Sequence, residues 1–154
     1  MSEVTYSGTE VQLVVFKLGR EEYGVSILQV QEIKRMTDIT RVPHSPEYIK
    51  GVINLRGSVL PVIDLKKRLN LPPMEYTDDT RIIIVKVEDI IIGMIVDAVS
   101  EVTTIDQMSI EPPQAVVGGI AADYLNGVGK MEDRLLILLN VEAIIGIGQE
   151  VKAG

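Results

Sequence analysis

The sequence contains no cysteine, no tryptophan, one phenylalanine and one histidine. Without thiols there is no disulfide, iron–sulfur cluster, cysteine nucleophile or Cys/His zinc site, and one histidine cannot build a three-histidine metal centre. No metal and no cofactor is therefore expected. Aromatic residues make up 4% of the chain, too few rings for a platform that stacks single-stranded bases. Basic side chains are outnumbered: fifteen Lys and Arg stand against twenty-two Asp and Glu, a formal charge of -7, which disfavours a nucleic-acid partner. Long apolar runs are missing too. The run Ile90 to Val96 is bounded by Asp89 and Asp97 and falls far short of the roughly 18–20 residues that cross a bilayer. The opening MSEVTYSGTE has no basic residue ahead of an apolar stretch, so a flexible tail over 1–10 and a soluble chain are expected, not a secretory signal.

Val and Ile are abundant. About forty of the 154 residues are one or the other, in short clusters broken by Gly, Pro and charge, which is the pattern of strands rather than helices. Strands are expected over Val11 to Leu18, Glu22 to Ile27, Ile39 to Val42, Gly51 to Leu55, Ser58 to Asp64, Arg81 to Val87, Ile90 to Val96, Val99 to Thr104, Gly127 to Met131 and Arg134 to Asn140. Polar turns join them, among them Arg56-Gly57 and Glu132-Asp133. Three brief helical segments are expected: Ser45 to Ile49, Leu65 to Leu69 capped by Asp64, and Val141 to Ile145 capped by Asn140.

The chain repeats itself. An offset of 69 lays Lys17 on Lys86, Gly24 on Gly93, Val30 on Val99, Glu32 on Glu101 and Ile33 on Val102. An offset of 76 lays Gly51 on Gly127, Val52 on Val128, Pro61-Val62-Ile63-Asp64 on Ile137-Leu138-Leu139-Asn140, and Leu69 on Ile145. The seven-residue difference falls between Ile105 and Asn126. Two units of five short strands predict an all-β fold of two small barrels, 11–75 and 80–147, followed by a tail over 148–154. Each unit has only about 55–65 residues and is marginal alone, so the two are expected to share an apolar interface and to exchange strands.

Chemical motifs are sparse. Gly127-Val128-Gly129-Lys130 fails as a phosphate loop, with Tyr124 where the first Gly belongs and Met131 after the Lys; a turn at a strand edge is expected there. His44 and Ser45 lie in a Pro-bounded turn, where neighbours seldom face each other and no orienting carboxylate is evident. Asp78-Asp79 and Glu88-Asp89 read as solvated turns. Arg56 stands out, because it sits at the tip of an otherwise apolar hairpin. It suits either an interface anchor or an ordinary solvated turn. Three classes remain: an interaction module, a barrel that binds an oligonucleotide or small ligand, and an enzyme using paired carboxylates. Charge and the missing aromatics disfavour the second, and the lack of convergent titratable groups the third.

The stretch Gly51 to Leu65, G-V-I-N-L-R-G-S-V-L-P-V-I-D-L, resembles the CheW-like family of bacterial chemotaxis coupling proteins. The likeness extends to Glu22-Tyr23-Gly24-Val25, Val30-Gln31-Glu32-Ile33, Glu101-Val102 and Asp123-Tyr124-Leu125-Asn126-Gly127, and so to nearly the whole chain. It implies two interlaced five-stranded SH3-like barrels and a non-enzymatic cytoplasmic adaptor, recruited to the inner face of the membrane. The implied partners are the cytoplasmic tips of methyl-accepting chemotaxis receptors and the regulatory domain of the histidine kinase CheA. By position, it implies receptor contacts at Val30, Gly51, Asn54, Arg56 and Val102, and kinase contacts at Glu32, Ile33, Arg41 and Val42.

Overall fold

The computed structural model describes residues 9–73, 75–113, 116–117 and 119–146. The expected tails, apart from Thr9 and Glu10, lie outside the described residues. In chain order the strands are β1 (Glu10–Leu18), β2 (Glu21–Ser26), β3 (Val30–Arg35), β4 (Ile49–Leu55) and β5 (Ser58–Asp64), followed by helix α1 (Leu65–Arg68). The second half runs β6 (Arg81–Val87), β7 (Ile90–Val96), β8 (Ala98–Asp106), β9 (Ile110–Glu111), β10 (Val116–Val117), β11 (Ile120–Ala121), β12 (Leu125–Met131), β13 (Arg134–Leu139) and helix α2 (Val141–Ile145). The fold is all-β.

Two sheets carry the architecture, in the orders β8-β1-β2-β13-β12-β9 and β3-β6-β7-β5-β4. Each joins strands from both halves of the sequence. The first takes its hairpin β1–β2 from the first half and β8, β12 and β13 from the second; the second sheet does the reverse. The offsets of 69 and 76 map one strand order onto the other, register included. Gly24 sits opposite Leu138 in the parallel pair β2–β13, and Gly93 opposite Val62 in the parallel pair β7–β5.

The alternation of side chains explains the unbroken apolar runs Leu13 to Phe16 in β1 and Ile82 to Val85 in β6. Val14, Phe16 and Leu18 of β1, with Ile83, Val85 and Val87 of β6, face one core shared by both sheets. Leu13 and Val15 face a core inside the first sheet, and Ile82 and Ile84 one inside the second. Both faces are buried, so no polar alternation survives. The caps are as expected: Asp64 accepts from Lys67 N at 3.4 Å, and Asn140 from Ala143 N at 3.1 Å. Asp97, where the chain passes from one sheet to the other, accepts from Gly19 N at 2.7 Å and faces the buried Lys66 ammonium at 2.6 Å. The Lys66 contact is a close charge pairing without hydrogen-bond alignment.

Three expectations are corrected, and one strand lies outside the expected set. Ile39 to Val42 is not a strand: Thr40 alone bridges to Val52, and Pro43 lacks the N–H that would extend the ladder. Ser45 to Ile49 is not helical. Ile49 N closes a turn onto Pro46 O at 3.0 Å, and Ile49 then enters β4 opposite Ile63, because one isolated helical turn competes poorly with a sheet partner. Val30 to Arg35, outside the expected strands, forms β3 because β6 of the other half supplies its ladder. Gly127 to Lys130 lies inside β12, within the strand expected over Gly127 to Met131 and not in a strand-edge turn, with Gly127 and Gly129 opposite Leu138 and Leu136.

Candidate functional site

The tip of the β4–β5 hairpin is a two-residue turn in which Arg56 (φ 51°) and Gly57 (φ 89°) are both left-handed. This turn matches the twist of the flanking strands, and glycine takes the second position at no steric cost. Asn54 braces it, its Oδ1 accepting from Gly57 N at 3.1 Å. The Arg56 side chain thus projects from a stiff base and is 74% exposed, with Nη2 2.5 Å from Glu32 Oε1 on β3. Because β3 and β4 are opposite edges of one sheet, this ion pair shows how strongly that sheet curls. So exposed a pair contributes at most about 1 kcal/mol, leaving the guanidinium free to exchange partners.

Around this tip, Val30 is half-buried against the shared core, and Ile33 is 38% exposed on β3. Val102, the counterpart of Ile33, is 52% exposed on β8, the edge strand of the other sheet. Arg41 and Val42 lie further along, on an exposed loop where Ser45 Oγ donates to Val42 O at 2.8 Å. That hydroxyl is committed to backbone and is no nucleophile. Gly51 is buried: a Cβ there would collide with the Thr40 carbonyl oxygen. The structure therefore joins Arg56 to Glu32 and its turn to Asn54, puts Val30 and Ile33 on the same strand as Glu32, places Val102 on the first sheet, leaves Arg41 and Val42 on a separate loop, and puts Gly51 behind the surface.

One cluster escaped the sequence reading. Arg134, at the start of β13, bonds Glu22 through Nε (3.0 Å) and Nη2 (3.1 Å) and Glu101 through Nη2 (2.6 Å). Those carboxylates push its pKa further up, with the Glu22 bond the largest cause. The repeat held the signal, since Glu101 is the counterpart of Glu32 and needs a cation from the neighbouring hairpin. Burial, with a smaller effect of Glu21, pushes the Tyr23 hydroxyl up to about 12; burial, then Asp64, does the same for Tyr76. Among the described residues no group of three His, Asp or Glu is placed to hold a metal ion. The described surface offers the ingredients of a docking site: exposed aliphatic side chains, Ile33 and Val102, on the edge strands of the two sheets, and a braced, largely exposed guanidinium.

The CheW-like domain model matches residues 12–148. Chemotaxis protein CheW of Bacillus subtilis is 43% identical over 137 residues, covering 89% of this chain and 88% of that one. Chemotaxis protein CheW of Klebsiella aerogenes is 37% identical over 134 residues, covering 87% and 81%. Among solved structures, the scaffolding protein TtCheW from Thermoanaerobacter tengcongensis superposes with a TM-score of 0.84 at 41% identity, covering 90% of each chain.

Proposed function

This chain belongs to the CheW-like domain family, a chemotaxis adaptor and not an enzyme, and we propose that it couples methyl-accepting chemoreceptors to the histidine kinase CheA. A receptor's cytoplasmic tip would lie between edge strands β3 and β8, meeting Val30, Asn54, Arg56 and Val102. This is the helix-in-groove mode, with apolar side chains as anchors and Arg56 reaching carboxylates or carbonyl oxygens. Gly51 serves the same surface indirectly, by letting the Thr40 backbone lie against β4. Glu32, Ile33, Arg41 and Val42 would meet the regulatory domain of the kinase. The units 11–75 and 80–147 act as one interlaced body on this reading, held at the inner face of the membrane through receptors. Among the described residues no helix is long and apolar enough to cross a membrane.

The observation that carries the proposal is the Arg56 side chain, projecting from a positive-φ turn braced by Asn54 with most of its surface free. Titration calorimetry of the chain against a receptor tip fragment, and separately against the CheA regulatory domain, tests it. Saturable one-to-one binding to each is expected. Binding to neither overturns the proposal.

A further inference from the structure

On the side of the shared core away from β3 and β8, one arginine joins the helices and strand starts that belong to the two sheets. In each sheet the central hairpin (β1–β2 or β6–β7) separates the edge strand β8 or β3 from the hairpin that runs into a helix. The edge strands therefore flank one side of the core, and helices α1 and α2 the other. Arg68, the last residue of α1, donates Nε to Ile144 O at 2.8 Å and Nη2 to Ala143 O at 3.2 Å. Both carbonyls lie in the last turn of α2, where helical carbonyls commonly need partners from outside the helix. The guanidinium also lies 4.2 Å from the centre of the Tyr48 ring and 5.2 Å from that of Tyr124.

These contacts are related by the repeat. The offset of 76 lays Tyr48 on Tyr124 and Arg68 on Ile144. The two tyrosines are pinned alike, Tyr48 O accepting from Asp64 N at 2.7 Å and Tyr124 O from Asn140 N at 2.8 Å. A residue that bonds its own repeat counterpart must stand beside the axis relating the two sheets. Two guanidinium groups there would repel, so the pair is asymmetric: Arg68 on one side, fully buried Ile144 on the other.

We propose that Arg68 is a positioning residue, clasping the two sheets at this axis and so setting the spacing of β3 and β8 across the core. The shared core is apolar and its attraction non-directional, so it fixes the angle between the sheets only through side-chain packing. A planar fork bonded to two carbonyls and lying over two rings is directional. Loss of the fork frees the sheets to rock about the core, and β3 and β8 move with the sheets that carry them.

The link to function rests on reading β3 and β8 as the receptor groove, whereas the clasp itself does not. The cysteine-free chain takes spin labels at Gln31→Cys on β3 and Thr104→Cys on β8, both exposed, without labelling any other site. Arg68→Ala is expected to broaden the distance distribution between them, and Arg68→Lys, which keeps a cation but loses the fork, to give an intermediate width. Ile82→Ala, in the core inside the second sheet, should lower the melting temperature without broadening the distribution. Without spin labels, Arg68→Ala should bind a receptor tip fragment roughly tenfold more weakly. An unchanged distribution in Arg68→Ala, or equal broadening in Ile82→Ala, overturns the clasp. Broadening with undiminished receptor affinity overturns its link to the groove. Failure of the wild-type chain to bind the fragment overturns the adaptor reading and leaves the distances to decide the clasp.

Discussion

Gly51 and Gly127 occupy the same place in the two sheets, each where another backbone crosses its strand without room for a side chain. A Cβ at Gly51 would strike the carbonyl oxygen of Thr40, and one at Gly127 would lie 2.7 Å from that of Glu111. Thr40 bridges to Val52 and Glu111 to Val128, so the two crossings also share their register.

Substitution at either glycine therefore acts on the fold. Backbone cannot yield as a flexible side chain can, and Gly51→Ala and Gly127→Ala should each cost about 2 kcal/mol or more of stability. Urea melts measure this. If Gly51→Ala weakens receptor binding, the loss should come with a lowered midpoint; a fully stable Gly51→Ala that no longer binds would make Gly51 a direct contact.

Arg56→Ala should behave in the opposite way. The side chain is mostly in solvent and its ion pair with Glu32 is weak, so stability should change by no more than about 1 kcal/mol. If the guanidinium meets receptor oxygens in a desolvated groove, truncation should cost roughly 2 kcal/mol of binding, about thirtyfold in affinity. Calorimetry with a receptor tip fragment alongside a melting curve separates the two roles. Unchanged affinity refutes the interface role.

Tyr23 gives a prediction of opposite sign to most core substitutions. Its hydroxyl is buried in the shared core and has no partner among the described residues. Tyr23→Phe should therefore leave stability unchanged or raise it by up to about 1 kcal/mol. The folded-state pKa of about 12 exceeds the ordinary 10.0, so the neutral form favours folding below pH 10, and this contribution is lost as pH rises through 12. Denaturant midpoints between pH 9 and 12 should fall less steeply in Tyr23→Phe than in the wild type. Tyr76, shifted in the same direction, accounts for part of the remaining decline.

The exchange of strands predicts that neither half folds as a monomer. A fragment of residues 1–78 keeps β1 and β2 but lacks β8, β12 and β13, which complete their sheet. Alone it should be unfolded or should dimerise, one copy's β1–β2 pairing with the other's β3–β5 as the repeat permits. Sedimentation and circular dichroism test this. A folded monomeric half would show that each half completes its own sheet.

The sequence by itself determined the strand-rich composition, most of the hairpins, both helix caps and the repeat, because these follow from local patterns: Val/Ile clusters, turn residues such as Arg56-Gly57, and the short polar caps Asp64 and Asn140. It also pointed to Arg56, through a charge at an apolar tip. Tertiary structure decided what depends on residues far apart. β3 becomes a strand because β6 offers it a ladder, Arg134 matters because Glu22 and Glu101 reach it from two other strands, and Arg68 finds its carbonyls some 76 residues along the chain. Pairing between halves leaves no trace in the local pattern of either segment, since a side chain's spacing along one strand carries no information about the backbone that comes to lie beside it.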